Sequence, residues 1–370
     1  MKFVLSPDSF KGSLTAEQAA AAMEEGIRAV YPQAEICMLP IADGGEGTMQ
    51  VLYDTLGGVL HTMCVPGPYG QEIQAAYLMQ GNTAIIELAK ASGLTLSEQR
   101  VPINASTYGT GLLLRDALLH GATHVCLTLG GSATNDGGAG IAKALGIRLL
   151  DRSGEEVEPT CAGLQKVVSV DIQNVLPQAI TCQWSIACDV KNPLCGATGA
   201  SAVYGPQKGA DAAMVTQMDT ILSDYGALLE RKSGRSLMNL EGSGAAGGAA
   251  LPLLAFMQAQ LCSGIDMVLD AVGFDRALEC ADWVFTGEGR IDIQTRFGKA
   301  IAGIVQRAKA KNVAVGVFAG ALGITQEECP EGMYLCCISD EQASVAENMT
   351  NAYINLKKAV TDFLKETENT

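Results

Sequence analysis

Apolar and polar positions in the first part of the chain follow an order that predicts strands, loops and helices in turn. Residues 2–5 form an apolar run typical of a buried strand, and residues 16–30 place apolar side chains at helical spacing. The same order returns with a strand at 35–41 and a helix at 49–56. Because the loops after parallel strands gather at one edge of a sheet, we expect these loops to share a ligand site.

The pattern changes after residue 60, where short strands and turn residues predict a meander as far as residue 88. Further helices are predicted at 107–119, 210–230, 249–260, 298–311 and 344–365, and further strands at 125–129, 147–150, 186–188, 283–286, 313–318 and 335–338. We therefore predict an α/β protein with two domains. Residues 1–60 plus 270–370 are expected to form one doubly wound domain with a parallel sheet, and residues 61–269 an inserted mixed α/β domain.

A glycine-rich stretch joins the strand at 125–129 to a predicted helix. Glycine lets the backbone approach a ligand closely, and the N–H groups at the start of a helix favour anions. The stretch therefore predicts a phosphate or nucleotide site, although a tight turn without a ligand is the alternative interpretation. The candidate cofactor-binding residues are Gly130, Gly131, Ser132, Ala133, Thr134, Asn135 and Asp136.

Composition narrows the class of protein. A chain of 370 residues with 48% hydrophobic residues has the size of two domains, and its net charge of −15 argues against general binding to nucleic acid or anionic membranes. The 12 cysteines are scattered, which favours reduced thiols, and no C-x-x-C or H-E-x-x-H motif accompanies the three histidines, so no zinc site is expected. The N-terminal apolar run is too short for a signal sequence, and we expect a cytoplasmic protein.

Carboxylates recur directly after predicted strands, at Asp8, at Asp43 with Glu46, at Asp189 and at Glu288 with Asp292. A lone aspartate in such a place is usually a turn former. Phosphoryl transfer, however, needs carboxylates for Mg²⁺, cations for the transferring group and one carboxylate near the accepting hydroxyl. The cations in the same loops are Lys11, Lys191, Lys208 and Arg290, each of which alone is as readily a solvated surface charge.

Two patterns leave other interpretations open. Gly242, Gly244 and Gly247 form a G-x-G-x-x-G pattern without a convincing strand before it, so close helix packing competes with dinucleotide binding. Asp151 lies about 20 residues beyond the glycine-rich stretch, where a ribose-binding acid would lie in a dinucleotide site. An NAD-dependent hydroxy-acid dehydrogenase and a non-catalytic binder of acidic sugars are therefore the alternatives to a kinase.

Taken together, the loops resemble the type I glycerate kinase family. The resemblance spans nearly the whole chain and rests on the segments at 7–13, 42–48, 130–138, 187–193, 205–209, 242–248 and 286–292. It implies ATP-dependent phosphorylation of (R)-glycerate, with 2-phosphoglycerate as the favoured product and the 3-phosphoglycerate alternative open. It also implies two α/β domains, one of them a Rossmann- or flavodoxin-like doubly wound parallel sheet, with the active site in the cleft between them. One departure is Lys191, which stands where threonine is common before Asn-Pro.

The resemblance also implies roles for individual residues, ATP and Mg²⁺. Asp189 is the expected general base, with Asn192 and Lys191 shaping its loop, and a positioned base contributes roughly 10²–10⁴ in rate. Lys11, Asn192 and Arg290 are the other expected catalytic residues, and the nucleotide is expected at the glycine-rich stretch. The expected substrate-binding residues are Asp8, Ser9, Lys208, Glu288 and Asp292, and the expected metal ligands are Asp43 and Glu46. The partners are glycerate and ATP, and a homo-oligomer is left open.

Overall fold

The computed structural model describes residues 1–10, 12–41, 47–291, 299–340 and 342–368. Its chain divides into two compact units, which we call unit 1 (Met1–Leu56 with Ile265–Thr370) and unit 2 (Gly57–Gly264). The strands are β1 Lys2–Leu5, β2 Glu35–Met38, β3 Val59–Pro66, β4 Glu72–Gln80, β5 Thr83–Glu87, β6 His124–Thr128, β7 Arg148–Leu150, β8 Ser169–Asp171, β9 Gln183–Ala187, β10 Gln260–Cys262, β11 Trp283–Ile291, β12 Ala314–Leu322 and β13 Met333–Cys337.

The α-helices follow the same chain order. They are α1 Ala16–Arg28, α2 Thr48–Leu56, α3 Ala89–Ser92, α4 Tyr108–Leu119, α5 Ala139–Ala144, α6 Cys161–Leu164, α7 Pro177–Thr181, α8 Ala200–Tyr204, α9 Ala212–Ser233, α10 Leu251–Phe256, α11 Gly264–Ala271, α12 Phe274–Ala277, α13 Lys299–Ala310, α14 Val345–Thr350 and α15 Ala352–Glu368. None of these helices is both long enough and apolar enough to cross a bilayer. Each of the 12 cysteines is a free thiol.

Unit 1 contains a five-stranded sheet with the order β13-β12-β11-β1-β2, and all neighbouring strands are parallel. The interior strand β1 is apolar because both its faces are covered, and Phe3, Val4 and Leu5 are fully buried. The chain passes from β1 to β2 on one side and later continues from β11 outward on the other. The strand order therefore reverses between β1 and β11, which is where ligands bind in open α/β sheets.

Unit 2 contains a six-stranded sheet with the order β10-β9-β6-β5-β4-β3. Strands β3, β4 and β5 form an antiparallel meander, whereas β5, β6, β9 and β10 are parallel. The last residues of the four parallel strands β5, β6, β9 and β10 are in register across the sheet. Glu87 lies beside Thr128, Thr128 beside Ala187, and Ala187 beside Cys262. The loops that follow these strands consequently start from one edge of the sheet.

Several predicted elements differ from those observed. The helix predicted at 249–260 ends at Phe256, and β10 follows it, because Gln260–Cys262 pairs with the edge of β9. The helix predicted at 344–365 is two helices that meet at Asn351. The strand predicted at 147–150 is outside the large sheet, in a two-stranded ribbon with β8.

Candidate active site

The predicted site residues fall into two groups, one in each unit. Asp8, Ser9, Glu288 and Arg290 belong to unit 1, whereas the residues at 130–136, Asp189, Asn192 and Lys208 belong to unit 2. Four predicted residues, Lys11, Asp43, Glu46 and Asp292, lie outside the described residues. Their predicted roles therefore stay predictions.

In unit 1 the predicted residues surround one cavity of about 880 Å³, which Asp8, Ser9, Glu288 and Arg290 all line. The cavity lies where the strand order reverses, because Asp8 follows β1 and Glu288 and Arg290 lie in the last part of β11. A volume of this size accommodates a ligand much larger than a three-carbon acid.

Backbone hydrogen bonds fix the acidic wall of this cavity. The Asp8 N–H donates to the Gly287 carbonyl (2.9 Å), and the Ser9 N–H donates to Oδ1 of Asp8 (2.6 Å). Gly287 is needed here, since a Cβ at this position would lie 2.2 Å from the carbonyl oxygen of Phe318. The carboxylate of Asp8 is thus held by the continuation of β1 beside β11.

In unit 2 the glycine-rich stretch is open only at its beginning. Gly130 and Gly131 are exposed, whereas residues 132–140 are buried. Gly131 has φ of 71°, a left-handed conformation that favours glycine. Gly130 has open space where a side chain would begin. The part of the loop that a ligand can approach is therefore the backbone at these two glycines.

The start of α5 is already occupied by an anion of the protein itself. The buried carboxylate of Asp136 accepts hydrogen bonds from the N–H groups of Gly138 (3.1 Å) and Gly140 (3.2 Å) and from the N–H and hydroxyl of Thr107 (both 2.8 Å). The N–H of Ile141 donates a hydrogen bond to the Thr107 hydroxyl. This differs from the expectation of free N–H groups at the helix start, because Asp136 supplies the negative charge there. Burial raises the pKa of Asp136, and these hydrogen bonds oppose that rise.

Thr134 and Asn135 also point into unit 2. The Thr134 hydroxyl donates to the Ala246 carbonyl (3.4 Å), and Nδ2 of Asn135 donates to Oγ of Ser201 (3.0 Å). Both residues are fully buried. Their side chains thus hold the loop in place and are not available to a ligand at the surface.

Lys208 lies beneath the glycine-rich stretch, where substrate contact was expected from the sequence. Its side chain is 2% exposed, and Nζ donates to Oγ of Ser132 (2.9 Å) and to the carbonyl of Thr134 (2.7 Å). Burial lowers the pKa of Lys208 to about 7, and the nearby charge of Asp136 opposes this shift. In this structure Lys208 positions the loop.

The loop after β9 carries the predicted base. Asp189 is half-buried, and its Oδ1 accepts a hydrogen bond from the Gly264 N–H (3.0 Å). Asn192 donates through Nδ2 to the Thr198 carbonyl (2.8 Å) and accepts through Oδ1 from the Tyr204 hydroxyl (2.6 Å). These two bonds tie Asn192 to the residues that follow it.

Lys191, on the same loop, is a surface residue. Its side chain is 85% exposed, and Nζ lies 3.5 Å from Oε2 of Glu241. An ion pair between two such exposed groups contributes little to stability. This lysine therefore offers a control for its neighbour Asp189.

Close packing explains the G-x-G-x-x-G pattern. A Cβ at Gly244 would lie 2.2 Å from the carbonyl oxygen of Pro193, and one at Gly247 would lie 2.3 Å from Cα of Asn135. The Gly244 N–H donates to the Asn192 carbonyl (3.0 Å), and the Gly247 carbonyl accepts from the Gly137 N–H (2.9 Å). This segment therefore joins the loop after β6 to the loop after β9.

Asp151 does not lie where a ribose-binding acid would lie. It follows β7 in the two-stranded ribbon, and its Oδ1 accepts hydrogen bonds from the N–H groups of Ser153 (2.7 Å) and Glu155 (3.1 Å). The carboxylate forms a turn, so the sequence spacing that favoured a dehydrogenase has no counterpart in the large sheet.

The sequence did not indicate several polar residues that lie beside the candidates. Glu87 is buried at the end of β5, with Oε2 lying 3.6 Å from Nζ of Lys90. Lys299, Ser339 and Asn348 line the cavity of unit 1. An acid at the end of a buried strand was a usable signal for Glu87, whereas Ser339 and Asn348 reach the cavity beside Asp8 only through the fold.

The chemistry available in the two units is complementary. Unit 1 offers carboxylates and the cations Arg290 and Lys299 around a cavity, which suits an anionic ligand with a bound cation. Unit 2 offers a half-buried aspartate and an exposed glycine backbone at one sheet edge. Carboxylates, cations and an exposed backbone are the kinds of group that phosphoryl transfer uses.

Comparison with known proteins places this chain among related enzymes. Residues 3–368 match the glycerate kinase family. A glycerate kinase of Halalkalibacterium halodurans is 46% identical over 324 residues, covering 86% of this chain and 85% of that protein. The glycerate 2-kinase of Escherichia coli is 41% identical over 326 residues, covering 87% and 86%. A crystal structure from Salmonella typhimurium LT2, provisionally named glycerate kinase 2, is 39% identical and superposes with a TM-score of 0.88 over 100% of both chains.

Proposed function

This chain belongs to the glycerate kinase family, and from that premise we propose that it transfers the γ-phosphoryl group of ATP to a hydroxyl of glycerate. The observation that carries the proposal is that the family match covers residues 3–368, and so includes the site residues of both units. In the reaction the glycerate oxygen forms a bond to the γ-phosphorus, and the bond to the bridging oxygen breaks. The products are phosphoglycerate and ADP.

Asp189 is the proposed acceptor of the hydroxyl proton. Its half-buried position and its hydrogen bond from the Gly264 N–H (3.0 Å) support this role, because both restrict the carboxylate without enclosing it. Asn192 keeps the loop in shape through the Tyr204 hydroxyl and the Thr198 carbonyl. Asn192 is thus a positioning residue in this mechanism.

Cations are proposed to balance the charge of the phosphates and of the glycerate carboxylate. Arg290 and Lys299 line the cavity of unit 1, together with Asp8, Ser9 and Glu288, which we propose as substrate-binding groups. Lys11 and Asp292 keep their proposed roles as a catalytic cation and a substrate-binding acid. We propose that the exposed backbone at Gly130 and Gly131 approaches the nucleotide.

The donors in unit 1 fit a magnesium ion. Asp8 and Glu288 line the same cavity, and Mg²⁺ prefers carboxylate oxygens together with phosphate oxygens and waters. We propose that they hold it together with Asp43 and Glu46. The ion, when bound, would neutralise charge on the phosphates of ATP.

We propose that the two units are the domains expected from the sequence. The sheet of unit 1, numbered along the chain within that unit, has the order 2-1-3-4-5, which supports the flavodoxin-like description. The 12 free thiols and the use of ATP support a cytoplasmic location.

The proposed product is 2-phosphoglycerate. The name of the Escherichia coli relative, glycerate 2-kinase, supports it, as does the 41% identity of that protein to this chain. Because both hydroxyls of glycerate belong to the same small acid, the orientation of the bound carboxylate decides between them.

One assay tests the function and the product together. Purified protein is incubated with (R)-glycerate and either ATP with Mg²⁺ or NAD⁺, and ADP and NADH are measured. We expect ADP to form and phosphorus NMR to show 2-phosphoglycerate. Formation of NADH would instead identify a dehydrogenase, binding of glycerate without turnover would identify a binder, and 3-phosphoglycerate would overturn the proposed product alone.

A further inference from the structure

Two histidines and an aspartate converge in unit 2, at the end of α4 that lies opposite Thr107 and the glycine-rich stretch. His61 comes from β3, whereas Asp116 and His120 are one helical turn apart at the end of α4. We propose that His61, Asp116 and His120 form a binding site for a transition-metal ion of the zinc class. This site goes beyond the proposed phosphoryl transfer and takes no part in it.

The three side chains already lie close together. One ring nitrogen of each histidine and a carboxylate oxygen of Asp116 are all within 4.8 Å of one another. The rings of His61 and His120 have centroids 4.8 Å apart, and His61 stacks on Tyr77 with centroids 5.1 Å apart and planes at 11°. Tyr77 is the cross-strand partner of His61, so the pairing of β3 with β4 fixes this stack.

Hydrogen bonds orient two of the proposed ligands in the way that metal sites require. The Tyr77 hydroxyl donates to Oδ2 of Asp116 (2.7 Å), and this bond holds the carboxylate toward the histidines. Nδ1 of His120 lies 2.9 Å from the backbone carbonyl of Asp116, and only a ring N–H satisfies a carbonyl oxygen. With the proton on Nδ1, which also lies 3.2 Å from Oδ2 of Asp116, the lone pair on Nε2 is the one that a metal would bind. Histidine ligands commonly donate their other N–H to a carbonyl in this manner.

The donor set selects the metal. Two imidazole nitrogens and one carboxylate oxygen are typical zinc ligands, whereas Mg²⁺ prefers oxygen alone. Ligand bonds of about 2.0–2.2 Å place neighbouring donors about 3.3–3.6 Å apart. The His120 side chain is 50% exposed, so its ring has room for the small shift that would bring the donors to this spacing.

Metal binding would tie an edge strand to a helix. In the described sheet β3 is the terminal strand, with β4 as its neighbour, and α4 supplies the other two ligands. A ligand that binds only the folded state stabilises it by mass action. The expected consequence is a higher unfolding temperature of the full chain in the presence of Zn²⁺.

The test is a Zn²⁺ titration of the full-length protein after alkylation of its thiols, with a large excess of Mg²⁺ present. We expect one equivalent to bind to the wild type, and His61→Gln and His120→Gln to weaken binding about 10–100-fold. His124→Gln is the matched control, since His124 is the third and last histidine and bonds to Ser185 instead (2.9 Å). Unchanged affinity in the first two variants, no binding, or binding only before alkylation would each overturn the proposal.

A second measurement uses the NMR spectrum of the wild type, so its main readout does not depend on how well a variant folds. The wild type has three histidines, so its imidazole NMR spectrum contains three sets of signals. Zn²⁺ should shift the signals of His61 and His120 and leave that of His124. Asp116→Asn, which keeps an acceptor for the Tyr77 hydroxyl, should preserve the fold and weaken binding. A shift confined to His124, or equal shifts of all three, contradicts the proposed ligand set.

Discussion

The ammonium group of Lys208 lies 2.7 Å from the carbonyl oxygen of Thr134, in a buried site beneath the glycine-rich stretch. A second hydrogen bond to Oγ of Ser132 (2.9 Å) holds the same group. The loop that we propose to receive the nucleotide therefore rests on Lys208, a lysine that is only 2% exposed. Because charged groups are costly to bury, the contribution of this contact should depend on pH.

The first prediction concerns that pH dependence. The native pKa of Lys208 is about 7, whereas the unfolded chain holds the proton up to the ordinary value of 10.5. Between these values the unfolded state binds more protons, so the stability contributed by this residue rises with pH. Below about pH 7 both states are protonated and the slope disappears.

Lys208→Met retains the apolar stem and removes the titrating group. Urea unfolding of both proteins at several pH values between 6 and 10 gives the difference in unfolding free energy. This difference, wild type minus variant, should increase with pH above about 7. A difference that stays constant or decreases over this interval contradicts the shifted pKa.

The second prediction compares two aspartates that form turns. Asp136 is fully buried and accepts hydrogen bonds from the backbone or side chain of Thr107, Gly138 and Gly140, so Asp136→Ala leaves buried donors unsatisfied. We expect it to lower the unfolding free energy by about 3–5 kcal/mol. Asp151→Ala removes the hydrogen bonds from Ser153 and Glu155 at the surface and should cost roughly 0.5–1.5 kcal/mol.

Chemical denaturation at neutral pH measures both variants. Equal losses in the two variants would show that the buried carboxylate does not organise the start of α5. Circular dichroism of each folded variant checks that the helix content is retained before the comparison is made.

The alternation of apolar strands and helices was sufficient to predict both ends of the chain. Continuous apolar runs such as Phe3, Val4 and Leu5 are long enough to identify a buried parallel strand. The short strand β10 carried no such signal, because Gln260–Cys262 is a strand only through its pairing with β9. Pairing between distant segments decides such elements, and local pattern does not contain it.

The candidate site was predictable in its loops and less so in its side chains. Residues after strand ends were found because parallel strands bring them to one edge. The burial of Lys208 depends on Ser132 and Thr134, which precede it by 76 and 74 residues. Likewise, the carboxylate of Asp136 lies at the start of α5 and accepts a hydrogen bond from the Thr107 N–H. These two residues are 29 positions apart, and no local spacing indicates their contact.

The third prediction tests the glycine-rich stretch as a nucleotide site. Gly130 has no heavy atom within 4 Å of the position that a Cβ would take, so Gly130→Ala and Gly130→Val should fold normally. If the nucleotide approaches this backbone, added bulk should weaken ATP binding progressively, by at least about 10-fold for valine, or ~1.4 kcal/mol. Glycerate binding should change less. Steady-state KM values and ATP binding measured by calorimetry give both affinities, and unchanged ATP binding in the valine variant would place the nucleotide elsewhere.

The fourth prediction concerns the cavity of unit 1. Arg290 lines it, so Arg290→Met should lower kcat/KM for phosphorylation by about 10-fold or more, since a charge-assisted hydrogen bond contributes about 1.5–3 kcal/mol. Arg276→Met is the control, because Arg276 is an exposed residue of α12 in the same unit. Equal effects of the two variants would remove Arg290 from the site.

The last prediction separates the proposed base from its neighbourhood. Asp189→Asn is nearly isosteric and keeps an oxygen that accepts from the Gly264 N–H, so the loop should keep its structure. It loses the capacity to accept the hydroxyl proton, and kcat should fall by at least about 10²-fold while ATP affinity is retained.

Lys191→Gln, two residues along the same loop and 85% exposed, should leave kcat within about threefold. Tyr204→Phe, which removes the hydrogen bond to Asn192, should give an intermediate loss, because it loosens the loop without removing the base. Near-normal turnover of Asp189→Asn would exclude this carboxylate as the base, whichever result the other two variants give.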